Sequence, residues 1–195
     1  DMLGDFLIRH CQRNGIDTSS IARRSDIDTP LSVGLVRADG ERGFVVSKSS
    51  STFSFCAEDV NSADFAGAKA MVFSSIFIMP RFDDAGLTKV FSDAQKAGLV
   101  VCADMMRSRT GQRIDAIATA LSHVDYFFAN FEEAEFLTSQ SAYHSMSQVL
   151  LDAGVKHVLI KNGKEGCYIR DNETEQLLPA FLNEHPVDTI GAGDN

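Results

Sequence analysis

The stretch Ala85-Gly86-Leu87-Thr88-Lys89-Val90-Phe91-Ser92-Asp93-Ala94-Gln95-Lys96-Ala97-Gly98-Leu99-Val100-Val101-Cys102-Ala103 decides the fold. Its first part, Ala85–Ala97, predicts an amphipathic helix that Gly98 ends, and Leu99–Ala103 is an apolar strand with no polar alternation. Upstream, Ala70–Phe77 predicts another strand, so the unit is β-α-β. The pattern then repeats. Ile114–His123 predicts a helix, Tyr126–Ala129 a strand, Glu132–Thr138 a short helix, Ser145–Ala153 a helix ended by Gly154, and His157–Lys161 a strand. Gly166–Arg170 and Gln176–Ala180 add two short strands. Apolar strands separated by helices indicate an α/β protein, its central, mostly parallel sheet carrying helices on both faces.

The first third reads differently. Residues 1–15 predict a helix, with Leu3, Phe6, Leu7, His10 and Cys11 at helical spacing and Gly15 at its end. Leu31–Arg37 and Arg42–Val46 are β-rich runs joined through Ala38-Asp39-Gly40-Glu41, a hairpin signal. The expected organisation is an α/β body of residues 1–27 and 59–195, with residues 28–58 as a small antiparallel β lid.

Composition narrows function. The 195 residues hold 18 Lys+Arg against 27 Asp+Glu, a net charge of −9. That balance argues against nucleic acid or an anionic membrane as partner, since both reward basic surfaces. Hydrophobic residues are 44% and charged residues 23%, as in globular domains. No apolar run approaches the roughly 18 residues that span a bilayer. Cys11, Cys56, Cys102 and Cys167 are scattered without metal-ligand spacing, which suits reduced thiols in a cytoplasmic protein.

In an open parallel sheet, ligands bind beyond the carboxyl ends of the strands. The residues expected there are Asp104, Asn130, Asn162-Gly163 and the run from Asp188. That run, Val187-Asp188-Thr189-Ile190-Gly191-Ala192-Gly193-Asp194, lets backbone N–H groups converge without Cβ obstruction beside a carboxylate. If a helix starts there, those amides form an anion hole and Asp194 can take a hydroxyl proton. A plain strand-to-helix turn uses the same residues. Neither G-x-x-x-x-G-K-[ST] nor G-x-G-x-x-G occurs.

Val187–Asp194 resembles the D-T-x-G-A-G-D signature of the ribokinase-like (PfkB) carbohydrate kinases. Asn130-Phe131-Glu132-Glu133 is similar to that family's N-x-x-E motif, and Lys161-Asn162-Gly163-Lys164-Glu165-Gly166 to its strand-end G-x-x-G turn. Asp1-Met2-Leu3-Gly4-Asp5 resembles its D-x-x-G-D, Gly15-Ile16-Asp17-Thr18 its G-V-D-T, and Thr29–Val46 its β lid with the Asp39-Gly40-Glu41-Arg42 turn. Asp104-Met105-Met106-Arg107 resembles D-x-N-x-R with Met106 in place of Asn.

The resemblance implies in-line transfer of the γ-phosphate of ATP to a hydroxyl of a small sugar or sugar acid. Asp194 is then the general base, and Gly191, Ala192 and Gly193 supply the anion hole. Asn130 and Glu133 hold the Mg²⁺–triphosphate unit, Glu133 through metal-bound water. Lys161, Gly163 and Gly166 line the nucleotide site, and Asp104 and Arg107 face the substrate. Asp188 and the Ile190 carbonyl fall at a monovalent-cation site, with K⁺ as its candidate. Family lids pair between protomers, which implies a homodimer. A non-catalytic sugar or nucleotide sensor, and a nucleoside-type or pyridoxal-type kinase, share the fold. The Asn130/Glu133 spacing also fits a helix capping box. The chain begins and ends inside family motifs. It is therefore expected to be part of a longer polypeptide, with the 195 residues inactive alone.

Overall fold

Leu87, Val90, Phe91 and Ala94 stand at helical spacing and are buried, so one stripe of their helix faces a core. In the computed structural model, which describes residues 1–37, 42–47 and 51–182, the chain divides into two compact units. One comprises residues 1–52 with 182–195, the other residues 53–181.

The first unit holds helix α1 (Met2–Arg13) and the antiparallel strands β1 (Ser32–Val36) and β2 (Arg42–Val46). Asp1 caps α1: one carboxylate oxygen accepts the Gly4 N–H at 2.8 Å, and the other the Thr29 N–H at 2.8 Å. A Cβ on Gly4 would lie 2.9 Å from Thr29 Oγ1, so glycine permits this approach. Asp5 pairs with Arg23. The Asp1-x-x-Gly4-Asp5 run thus builds a junction between α1 and the segment ahead of β1. Gly15 takes φ +73° just after the helix. β1 places Val33, Leu35 and Val36 in solvent, and β2 does the same with Phe44, Val45 and Val46. The turn expected at 38–41 lies outside the described residues. A one-turn helix α2 (Ser51–Ser54) follows.

The second unit is built on six strands in the order β3 (Ala70–Ile76), β4 (Val100–Met105), β5 (Tyr126–Asn130), β6 (His157–Lys161), β7 (Cys167–Arg170) and β8 (Glu175–Leu178). β3 to β6 are parallel; β7 and β8 are antiparallel, so the sheet is mixed and mostly parallel. Helices α3 (Asp84–Lys96), α4 (Ala118–Leu121), α5 (Phe131–Thr138) and α6 (Tyr143–Asp152) connect the parallel strands. Val101, Ala103, Phe127, Ala129, Val158 and Ile160 are buried. The register puts them on one face of the sheet. Val72 (73% exposed), Val100 and Tyr126 lie on the other. The strands are apolar on both sides in sequence, yet burial alternates: α3 to α6 supply the buried stripes for one face. Among the described residues no helix is long and apolar enough to cross a membrane.

Three local expectations are corrected. The single helix expected at Ile114–His123 is a 3-10 turn (Ile114–Ala116) and α4, separated by Ile117 at φ −142°. That break buries the β-branched Ile117, and the Asp84 carboxylate from α3 accepts the N–H of the buried Ala120 at 2.9 Å. Asp104 is inside β4 rather than after it, and Asn130 is the last residue of β5. Helix α6 starts at Tyr143, two residues earlier than its sequence pattern indicates.

Candidate active site

Strand register assembles the site. Asp104 is level with Phe128, and Asn130 is level with Lys161. Counting alternate positions, Asp104, Asn130 and Lys161 point to the sheet face that α3–α6 leave open, all at the carboxyl edge of the parallel strands. Their neighbours one residue back, Ala103, Ala129 and Ile160, anchor the opposite face in the core.

Asn130 passes directly from strand to helix. Its side-chain oxygen accepts the Glu133 N–H at 2.8 Å, and Glu133 Oε2 accepts the Asn130 N–H at 2.9 Å, a reciprocal capping box. Burial raises the Glu133 carboxyl above its ordinary range. The Asn130 amide and the Lys161 charge oppose that rise, while Asp104 and Glu132 add to it. Glu133 therefore feels Asp104, Lys161 and its own cap together. The structural use of the N-x-x-E spacing is real, and it holds a desolvated carboxylate at the sheet edge.

Asp104 accepts the backbone N–H of Ser75 at the end of β3. Ser75 and Phe77 have φ of 64° and 76°, left-handed values that fall at the register shift between Phe73 and Ile76 and just past the end of β3. No sequence signal marks this kink, because neither residue is glycine, asparagine or aspartate.

Arg107 turns elsewhere. Its guanidinium stacks over Phe136 of α5 at 4.7 Å, beside Arg113 at 4.6 Å from the same ring. Both line a shallow cleft of about 650 Å³ with Glu132, Glu135 and Ser139. Along Asp104-Met105-Met106-Arg107-Ser108 the fifth motif position is Ser108, so Arg107 stands one residue early for D-x-N-x-R. Ser108 is buried, and its hydroxyl binds the Thr110 and Gln112 side chains.

The turn after β6 has two unlike glycines. Gly163 (φ +51°) is exposed with open space where a Cβ would stand. Gly166 (φ +99°) is buried, and a Cβ there would sit 1.9 Å from the Leu178 carbonyl oxygen. Gly166 thus lets β8 pass, whereas Gly163 presents its backbone outward. Asp188, Ile190, Gly191, Ala192, Gly193 and Asp194 lie outside the described residues.

The profile of the pfkB family carbohydrate kinases matches residues 1–195, and the chain belongs to this family. Named relatives include the 2-dehydro-3-deoxygluconokinase of Bacillus subtilis, 25% identical, and the maize (Zea mays) fructokinase-1, 26% identical. Each alignment covers 100% of this chain and 62% of the relative. The crystal structure of fructokinase with bound ATP from Xylella fastidiosa superposes with a TM-score of 0.79 at 23% identity, covering 100% of this chain and 62% of that one. That likeness shows the ribokinase-like fold. The chain spans about three fifths of the length of these relatives.

Proposed function

We propose that this chain forms part of an ATP-dependent kinase that transfers the γ-phosphate to a hydroxyl of a small sugar or sugar acid. The observation that carries the proposal is the meeting of Asp104, Asn130, Glu133 and Lys161 at one sheet edge, in a chain of the pfkB family.

In this proposal Asp194 accepts the proton of the attacking hydroxyl while its oxygen bonds to the γ-phosphorus and the bond to the β-phosphate oxygen breaks, releasing ADP. The Gly191, Ala192 and Gly193 amides offset charge on the transferred group. Lys161 and Gly163 line the nucleotide, with Gly166 shaping their turn. Asp104 serves the substrate side of the cleft, and Arg107, stacked on Phe136, borders it.

Mg²⁺ fits the residues present. Among the described residues no group of three or more His, Cys, Asp or Glu could hold a metal by itself. A magnesium ion keeps several waters, so one desolvated carboxylate with an adjacent amide would suffice to hold it. Asn130 and Glu133 are that pair, and the ion would supply neutralisation of the triphosphate. A K⁺ site at Asp188 and Ile190 belongs to the same proposal. So does the division into an α/β body of residues 1–27 and 59–195 and a β lid segment of residues 28–58. A homodimer through that segment is favoured by the solvent-facing Val33, Leu35, Phe44 and Val45 of its two strands, and a cytoplasmic location belongs to the same proposal.

The test is a coupled assay of ADP release by the full-length protein across sugars, sugar acids, nucleosides and pyridoxal. Asp194→Asn is expected to abolish transfer and leave ATP binding measurable. Turnover retained by that variant overturns the assigned base. ATP binding without turnover on any acceptor supports the sensor alternative.

A further inference from the structure

Tyr143 joins the two halves of the proposed nucleotide site. The turn 162–166 closes on itself through three backbone bonds: Asn162 N–H to Gly166 O (2.8 Å), Glu165 N–H to Asn162 O (2.9 Å) and Gly166 N–H to Gly163 O (3.2 Å). These set the shape of the turn, and the pairing of Lys161 with Asn130 and with Cys167 anchors its two ends. Among the described residues one side-chain bond leaves it: Asn162 Nδ2 donates to the Tyr143 hydroxyl at 2.8 Å.

The Tyr143 ring is itself held on two sides. It meets Phe131 edge-on at 5.2 Å and 85°, and stacks on Tyr168 at 5.1 Å and 13°. Phe131 is the first residue of α5, next to Asn130, and Tyr168 lies on β7 just past the turn. An aromatic ring clamped in this way has little rotational freedom, so its hydroxyl is a fixed point. The ring therefore links the Asn130–Glu133 box to the backbone at Gly163.

We propose that Tyr143 is a positioning residue: through Asn162 it sets where the Gly163 backbone stands relative to Asn130 and Glu133, and so tunes nucleotide affinity. This rests on the kinase reading above. The hydroxyl acts through Asn162, so its loss should weaken ATP binding and spare the transfer step.

The experiment compares Tyr143→Phe, Asn162→Ala and the double variant in the full-length protein. Tyr143→Phe keeps the ring and its packing. Losing one hydrogen bond predicts an increase of about three- to tenfold in KM and Kd for ATP. The kcat, the sugar KM and Tm should stay near wild type. Asn162→Ala should match it, and the double variant should be no worse than either single one. Unchanged ATP affinity, additive effects, or a joint fall of kcat, sugar KM and Tm would each overturn the proposal. If the wild type turns over no acceptor, the kinase reading fails separately. Amide hydrogen exchange at residues 163–166 then decides: faster exchange in Tyr143→Phe supports the positioning role, and identical exchange sinks it.

Discussion

The Asn130 and Glu133 side chains each accept a hydrogen bond from the other's backbone amide, at 2.8 and 2.9 Å. One pair of residues thus starts helix α5 and holds a desolvated carboxylate beside Lys161 and Asp104.

Substitutions at Glu133 separate these two uses. Glu133→Gln retains an acceptor for the Asn130 amide, so the cap survives; Glu133→Ala removes it and should cost about 1 kcal/mol. Thermal denaturation measures both. Under the proposed function, Glu133→Gln in the full-length protein should lose most Mg²⁺-dependent turnover while remaining folded, and full activity there would leave Glu133 a cap only.

The same carboxyl predicts a pH dependence. Its folded pKa is raised by burial, so the native state binds the proton more tightly than the unfolded chain. Its stabilising contribution is complete below the ordinary glutamate value of about 4.3 and is lost as pH rises through the folded value. The Tm difference between Glu133→Gln and wild type should therefore grow in favour of the variant from mildly acidic to neutral pH. A difference that stays flat refutes the assignment.

Asp104 accepts the amide of the left-handed Ser75. Asp104→Ala leaves that N–H without its partner and should destabilise by roughly 1–3 kcal/mol. Asp104→Asn keeps an acceptor and should cost less. Denaturant titration gives the stability change. A loss of kcat in the folded Asn variant would mark a role beyond the kink.

Gly163 and Gly166 should respond unequally to alanine. Gly166→Ala drives a methyl group into the Leu178 carbonyl at φ +99°, which predicts a loss of about 3 kcal/mol or more. Gly163→Ala meets open space and should cost only about 1 kcal/mol for its positive φ. Its larger effect should be on KM for ATP. Equal stability losses would contradict this division.

Arg113 donates to the Phe136 carbonyl and, at 2.8 Å, to the Ser139 hydroxyl, at the C-terminus of α5. Ser139 there takes the left-handed conformation at φ 58°. Arg113→Ala should cost about 1–2 kcal/mol and loosen the last turn of α5, visible by hydrogen exchange. Arg113→Lys should recover less than half, because an ammonium lacks the planar face that stacks on Phe136.

Periodicity and local chemistry were enough to place most of the architecture. Apolar runs such as Val100–Ala103 and His157–Lys161 cannot be satisfied outside a sheet, and the stripe Leu87, Val90, Phe91 and Ala94 can only be one helix face. The N-x-x-E and G-x-x-G spacings were legible because capping and tight turns are decided within a few residues. Long-range proximity left no such trace. That Asp104 holds Ser75, that Arg107 stacks on Phe136, and that Gly166 makes room for Leu178 depend on strand register and hairpin closure. The Ala120 amide, just past the break at Ile117, is held by a carboxylate 36 residues away in α3. Local sequence set which residues form strands, helices and turns, since those choices are made by neighbours along the chain. Only packing across the sheet, where side chains far apart in sequence compete for the same space, determined which of them face the site.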